Sequence, residues 1–519
     1  MKTMIFNGPF SDYSNEIQTV YLNSIGILGG IFEKISSGKL LFGAIISVVF
    51  LMTIVLIGVV IFLENRSPST TAAWLLLLIL LPIVGFLFYI YFGQNFKKKK
   101  LFNKKEPIDE RNLDIMVERQ FEKVQDSNVF YDEDIYEKKK LISLLLQNSK
   151  SPFTLNNQSE VLTNGRETFK AIFKAIHSAK EHIHVEYYIL KDDKIGNILR
   201  KLLILKAHQG VEIRLIYDGL GSRNLSKYYI NSLKEAGVKV APFLPVKIPL
   251  LNSKLNYRNH RKIVVVDGKI GFIGGLNVGD EYWVGSPKLG FWRDTHFQMK
   301  GEAVYLLQYI FLMDWYFSSD SKITQYQRYF PEHREYGKEL IQIAVSGPDS
   351  PWETIQQAYF TSIATAQEKI YITSPYFVPD ESLLMALKTS ALSGVDVRII
   401  LPDKPDHHTV FWASRSYIED LLSAGVRVYL YKKGFVHAKI LLVDGIIASV
   451  GTANMDIRSF QLNFEINALI YNKHTVERLE IDFYEDLGDS EQLFLEEFKK
   501  RPISHKIKES FARLFSPIL

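Results

Sequence analysis

The chain has 519 residues, with 62 Lys and Arg against 57 Asp and Glu and no cysteine. That length allows two or three domains, and a net charge of +5 is too small to mark a nucleic-acid binder by itself. Hydrophobic residues at 47% and charged residues at 23% exclude both a disordered and a wholly membrane-embedded chain, and the missing cysteines exclude disulfides, zinc–thiolate sites and thiol nucleophiles.

Residues 1–39 form an N-terminal segment in which 25–32 is apolar but too short to span a bilayer, and is suited to its interface. Two uncharged apolar runs follow, 40–63 and 71–93. At about 1.5 Å per residue each would make a helix of roughly 35 Å, enough for a hydrocarbon core of about 30 Å. Neither run has the polar face of a water-soluble helix. Together they predict a two-helix transmembrane hairpin over 40–95, with a short connection at 64–70 and a kink at Pro82. Its start lies too far from the terminus, behind too few positive charges, for a cleaved signal peptide. Lys97 to Lys100, Lys104 and Lys105 follow the second run, whereas the connection offers only Arg66. By the positive-inside rule the C-terminal side is then cytoplasmic, and the lysines suit anionic headgroups.

Residues 96–150 read as a basic neck or linker. Beyond it, β-branched runs alternate with helical patterns, which predicts an α/β fold. The same segments occur twice in the same order. AKEHIHVEYYIL from Ala179 matches AQEKIYITSPYF from Ala366, GVEIRLIYDG from Gly210 matches GVDVRIILPD from Gly394, and AGVKVAPFLP from Ala236 matches AGVRVYLYKK from Ala424. The near-constant offset indicates a duplicated domain, 151–345 and 346–519, packed as a pseudo-dimer with a composite site at the interface. At the C-terminal end, 506–519, Ile507, Phe511, Leu514 and Phe515 fall at helical spacing. The expectation there is a helix packed on the core, with contact to the bilayer as the alternative.

The best-matched segment of the repeat carries the chemistry. HRKIVVVDGKIGFIGGLN over 260–277 and HAKILLVDGIIASVGTAN over 437–454 share His-x-Lys, then Asp, Gly-Gly or Gly-Thr, and Asn. Each reads as a strand, an Asp-Gly turn and a second strand. Residues two apart on a strand share a face, so His260 projects beside Lys262 and His437 beside Lys439. The Gly-rich step would let backbone approach a ligand near Asn277 and Asn454. Ammonium, amide and backbone N–H groups are what phosphodiester oxygens require. A lone His is more often structural, but two sharing every neighbour at one spacing are not lone. Asp267 and Asp444 travel with the signature as candidate catalytic residues, although an Asp-Gly turn also favours Asp for structural reasons.

These segments resemble the double HKD signature of the phospholipase D superfamily, with motifs over 254–281 and 431–458. NYRNHRK at 256–262, FWRDTH at 291–296, RSFQLNFE at 458–465, the N-terminal hairpin ending LPIVGFLFYIYFG and the C-terminal RLFSPIL are similar to the bacterial cardiolipin synthases. The resemblance implies two α/β/α sandwich domains behind a hairpin in the bacterial plasma membrane. It implies phosphatidyl transfer between two phosphatidylglycerol molecules through a covalent phosphatidyl-histidine. One His is the nucleophile and the other the acid/base. The motifs leave the two equivalent, and superfamily habit favours His260 as nucleophile. Lys262, Lys439, Asn277 and Asn454 would bind phosphate, and an acidic residue downstream of each Asn, Asp294 and Glu465, would orient a His. Neither metal, cofactor nor nucleotide is called for, and the partners are anionic phospholipids and the membrane rather than nucleic acid. Hydrolysis to phosphatidic acid is the competing reading, and a non-catalytic membrane scaffold is a remoter one.

Overall fold

The structure is a computed structural model that describes most of 47–58, 68–81, residues 85 and 89, 110–245 except 131, 256–332 except 320, 322 and 324, and 335–519. The chain divides into two compact units, Met1–Asn95 and Phe96–Leu519.

In the first unit, residues 50–58 are helical and a helix runs over Pro68–Leu80. The latter starts before the expected span and leaves the helix at Leu81, next to Pro82, which has no N–H to donate. Beyond its 13 residues, residues 85 and 89 are again helical, and the Gly85 N–H donates to the Leu81 carbonyl. Among the described residues no helix is long and apolar enough to cross a membrane. Of the expected hairpin, residues 40–46, 49, 59–67, 82–84, 86–88 and 90–95 lie outside the described residues. So do the segment 1–39 and the lysines at 97–105.

The second unit opens with helices Glu110–Lys123, Glu133–Glu137 and Lys139–Ser149. The expected linker is therefore folded over much of its length. Leu141, Ile142, Leu145 and Leu146 are buried among Ile355, Ile363 and Ile370 of the second half. Asp132 caps the middle helix through the Asp134 N–H, satisfying an otherwise orphan donor.

Nineteen described strands follow. In the first half they are β1 (Thr154–Thr163), β2 (His182–Tyr187), β3 (Glu212–Asp218), β4 (Lys239–Phe243), β5 (Ile263–Val266), β6 (Ile270–Gly274), β7 (Phe291–Arg293) and β8 (Thr295–Gly301). In the second they are β9 (Glu339–Ser346), β10 (Lys369–Thr373), β11 (Phe377–Val378), β12 (Asp396–Pro402), β13 (Arg427–Tyr431), β14 (Gly434–Val436), β15 (Ile440–Val443), β16 (Ile447–Gly451), β17 (Met455–Asp456), β18 (Glu465–Tyr471) and β19 (Ser490–Leu493). Strand β9 crosses the expected domain boundary at 345.

Fifteen of these strands form one sheet, ordered β19-β13-β12-β10-β15-β16-β18-β9-β1-β8-β6-β5-β2-β3-β4. Read outward from the antiparallel β1–β9 junction, the order is the same on both sides until β19 adds an outer edge. The parallel ladders β2–β3–β4 and β10–β12–β13 have helical crossovers, which is why the sheet is covered on both faces. Alternation along β5 shows the two layers. Val264 and Val266 pack with Phe169 and Leu199, while Ile263 and Val265 pack with Leu307 and with Leu442, Ile466 and Leu479 of the second half. That middle core draws on both halves.

Both predicted hairpins form. Val266 pairs with Ile270 and Val443 with Ile447, and the Asp-Gly residues between them all have positive φ: 53° and 62° for Asp267 and Gly268, 53° and 69° for Asp444 and Gly445. Asp tolerates that region and Gly favours it. The C-terminal helix, Ile503–Arg513, buries Glu509 and Ala512 and leaves Ile507, Phe511 and Leu514 exposed. That reverses the expectation that those residues pack on the core.

Candidate active site

Each signature His lies just before the first strand of its hairpin, where the chain leaves a short pairing with the opposite half. Strand β14 pairs with β7 and Asn259 bridges to Phe464. The His437 N–H donates to the Arg293 carbonyl at 2.7 Å and the His260 N–H to the Phe464 carbonyl at 2.9 Å. Each acceptor immediately precedes a buried carboxylate. Those carboxylates then take the rings: His260 Nδ1 lies 2.9 Å from Glu465 Oε2 and His437 Nδ1 2.7 Å from Asp294 Oδ2. Both candidates for orienting residues are therefore beside a His, and each lies against the His of the other half.

The lysines fold back beneath the histidines. Lys262 Nζ donates to the His260 carbonyl at 2.7 Å, and Lys439 Nζ lies 2.9 and 3.1 Å from the two ring nitrogens of His437. Burial and the neighbouring Lys439 bring Lys262 down to about 7, with Glu465 opposing. Burial likewise lowers Lys439 to about 8, against the pull of Asp294 and Glu465. The histidines follow the same logic. Burial, resisted by Glu465, lowers His260 to about 4; burial, Lys439 and Lys262 hold His437 well below its ordinary value. Burial raises Asp294 to about 6. Burial would also raise Glu465, but His260 and Lys262 outweigh it and keep that carboxyl below the usual range.

Both histidines and both asparagines border one cavity of ≈ 770 Å³. Asn277 accepts from the Ile189 N–H at 3.2 Å and donates to the Tyr282 hydroxyl at 3.2 Å. The buried Asn454 Oδ1 has no hydrogen-bond partner among the described residues. Such a setting, with buried cations beneath and amides beside the imidazoles, is built for an anion. A bound anion would raise the pKa of all four basic groups.

The two aspartates of the signature are not in this group. Asp267 accepts backbone N–H groups from Lys180, Glu181 and His182 at 2.8–2.9 Å. Asp444 accepts those of Gln367, Glu368 and Lys369 together with Lys138 Nζ at 2.7 Å. Both sit at the turn, at the other end of the strand from the His, and tie the hairpin to β2 or β10. The Gly-rich step also differs from expectation. A Cβ on Gly275 would collide with the Asp294 carboxylate, and at the matching place Thr452 Oγ1 donates to Glu465. The space is kept for the orienting carboxylates rather than for a ligand.

Several cavity residues carry no assignment from the spacing argument. The Tyr188 ring stands edge-on to His260 at 4.9 Å. Trp292 lies 5.4 Å from His437, and the Tyr282 hydroxyl is 3.3 Å from His437 Nδ1. Arg258 and Arg458 also line the wall. All but Tyr282 fall inside the sequence segments that repeat or carry the resemblance, so the signal was present there without a role attached.

The family model described as "Cardiolipin synthase, PLD-like domain" matches residues 172–308 and 359–487, one match per half. A second, "Phospholipase_D-nuclease N-terminal", matches 51–94. The chain is 48% identical to a cardiolipin synthase of Geobacillus sp. (strain WCH70) over 93% of this chain and 95% of that one. It is 46% identical to the major cardiolipin synthase of Bacillus subtilis (strain 168) over 92% and 99%. Among solved structures, phosphatidylserine synthase from Haemophilus influenzae Rd KW20 superposes with a TM-score of 0.58 at 15% identity, over 73% of this chain and 100% of that one, which shows a shared fold. With two family matches and near-complete relatives, the chain belongs to the cardiolipin synthases of the phospholipase D superfamily.

Proposed function

We propose that the two halves, related as a pseudo-dimer, form one catalytic centre that converts two phosphatidylglycerol molecules into cardiolipin and glycerol. The observation that carries this reading is the reciprocal pairing of His260 with Glu465 and His437 with Asp294 at the border of a single cavity. A carboxylate on Nδ1 holds the imidazole with Nε2 directed to the reacting group. Nε2 of His260 attacks phosphorus, the bond from phosphorus to the glycerol oxygen breaks, and His437 delivers a proton to that oxygen. His437 then removes a proton from a hydroxyl of the second phosphatidylglycerol, whose oxygen displaces His260 and restores it. One phosphodiester is exchanged for another, so no nucleotide enters.

The assignment of His260 as nucleophile draws on the asymmetry of the pair. Glu465 is kept ionised by His260 and Lys262, which suits a fixed neutral imidazole with a free Nε2 lone pair. His437 has Lys439 against both ring nitrogens, and is neutral in the empty site. The phosphodiester anion raises its pKa on binding, so substrate itself prepares the acid. Lys262, Lys439, Asn277 and Asn454 stabilise charge on the non-bridging oxygens. The N-terminal unit anchors the enzyme in the bacterial plasma membrane as a hairpin, with the catalytic halves on the cytoplasmic side where phosphatidylglycerol is at hand.

The test is turnover in phosphatidylglycerol vesicles, following lipid masses and released glycerol. Single His260→Ala and His437→Ala variants are each expected to lose at least ~10²–10⁴ in rate, the range for removing a positioned acid/base, while remaining folded by circular dichroism. Near-normal turnover in either variant would refute the composite centre. Phosphatidic acid as the main product of the parent enzyme would replace transfer by hydrolysis.

A further inference from the structure

The helix Ile503–Arg513 and the residues after it present an apolar stripe to the outside. Ile503, Ile507, Phe511 and Leu514 are 72%, 62%, 63% and 75% exposed. At 100° per residue they fall within one face of the helix, and Lys506 and Lys508 lie on its two flanks. The opposite face is anchored: Glu509 is buried and paired with Arg501 at 2.8 Å and Arg415 at 3.4 Å. Glu509 is also the one carboxylate side chain between 503 and 519, so the segment itself brings lysine rather than acid to the flanks of the stripe, although Glu419 of the neighbouring helix lies near Lys506. The same segment ends at the candidate site. The Leu519 carbonyl accepts the Arg458 N–H at 2.8 Å, and Leu519 lines the cavity that holds both histidines.

We propose that this stripe docks on the surface of a bilayer containing anionic phospholipid and brings the mouth of the His260/His437 cavity against it. The proposal rests on the transferase reading above. Three features select a lipid surface. The stripe is apolar and narrow, as in helices that lie in the headgroup region. Its flanking charge is complementary to phosphatidylglycerol. Its continuation borders the cavity whose substrate comes from that surface. A helix so placed lets a headgroup enter the cavity while its acyl chains stay in the leaflet.

The absence of native cysteine permits a site-specific probe. Full-length Phe511→Cys enzyme, labelled with an environment-sensitive fluorophore, is reconstituted in phosphatidylglycerol/phosphatidylcholine vesicles. The expected result is blue-shifted emission quenched by nitroxide carried on lipid. In parallel, an Ile507→Asp/Phe511→Asp variant is expected to lose about tenfold in kcat/KM on vesicles, as burial of two large side chains is forfeited. Its turnover of short-chain phosphatidylglycerol dispersed as monomers should stay within about twofold of the parent, because neither residue touches the site. The proposal is overturned by a probe that remains in water, or by one that is buried but unquenched by lipid, as a second copy or another protein would make it. It is also overturned by equal losses on both substrates. A parent enzyme inactive on both would instead overturn the transferase reading.

Discussion

At the residue scale, the candidate site gathers buried His, Lys and carboxylate side chains from both halves. The two pairs of carboxylates have different surroundings: Glu465 and Asp294 lie against the histidines, and Asp267 and Asp444 among backbone donors at the turns. Glu465→Gln and Asp294→Asn each leave a His without its orienting acceptor, and each is expected to lower kcat by ~10²–10⁴, as when a triad carboxylate is neutralised. Asp267→Asn sits among backbone donors at a turn, so turnover within about threefold and a lower Tm are expected. Equal kinetic losses for all three would mean that the turn aspartates act in the chemistry. The lysines provide a pH signature. In the folded protein burial brings Lys262 down to about 7 and Lys439 to about 8, against 10.5 ordinarily. Between those values the unfolded chain binds more protons, so stability rises with pH from about 7 towards 10. Below about 7 the charge is present in both states and the penalty is constant. Lys262→Met is therefore expected to flatten this rise in stability between about pH 7 and 10, because the main titrating group is gone, while abolishing turnover. Denaturant titrations of both proteins across this pH range check it.

At the element scale, the repeated hairpin is the unit that places the His and Lys of each half. Its Asp-Gly turn ties one end to β2 or β10 through three backbone N–H groups. The other end is thereby held in register with the opposite half, where the His receives its carboxylate. The second strand of each hairpin ends in a small step that leaves room for that carboxylate, Gly275 against Asp294 and Thr452 donating to Glu465. Gly275→Ala therefore acts on His437 from a distance. The added methyl must displace the Asp294 carboxylate, and the variant is expected to lose turnover by about tenfold or more, with a smaller change in Tm, since misplacing a positioned group costs rate steeply. Measuring kcat together with thermal unfolding separates the two effects. Unchanged kcat would show that Asp294 has slack at this contact.

At the scale of the whole molecule, one chain supplies both halves of the centre through a single fifteen-strand sheet and a shared middle core. Mixing the His260→Ala and His437→Ala variants is therefore expected to restore no turnover, because each folded chain keeps its own defective site; recovery would require halves exchanged between chains. Much of this was legible in the sequence. The duplication, both hairpins and the His, Lys and Asn of each half-site follow from local spacing, since strand alternation and Asp-Gly turn chemistry act over a few residues. The role of Asp267 and Asp444 was not resolved there, because a turn Asp and a catalytic Asp read alike until the backbone donors around them are seen. The C-terminal helix left two readings open for a related reason: helical periodicity identifies an apolar face but not what that face meets. The sequence alone determined which groups each half brings. Only the tertiary structure decided that Glu465 lies against His260, 205 residues away, and Asp294 against His437. Contacts between halves depend on how the strands are threaded through one sheet, and no local pattern carries that information.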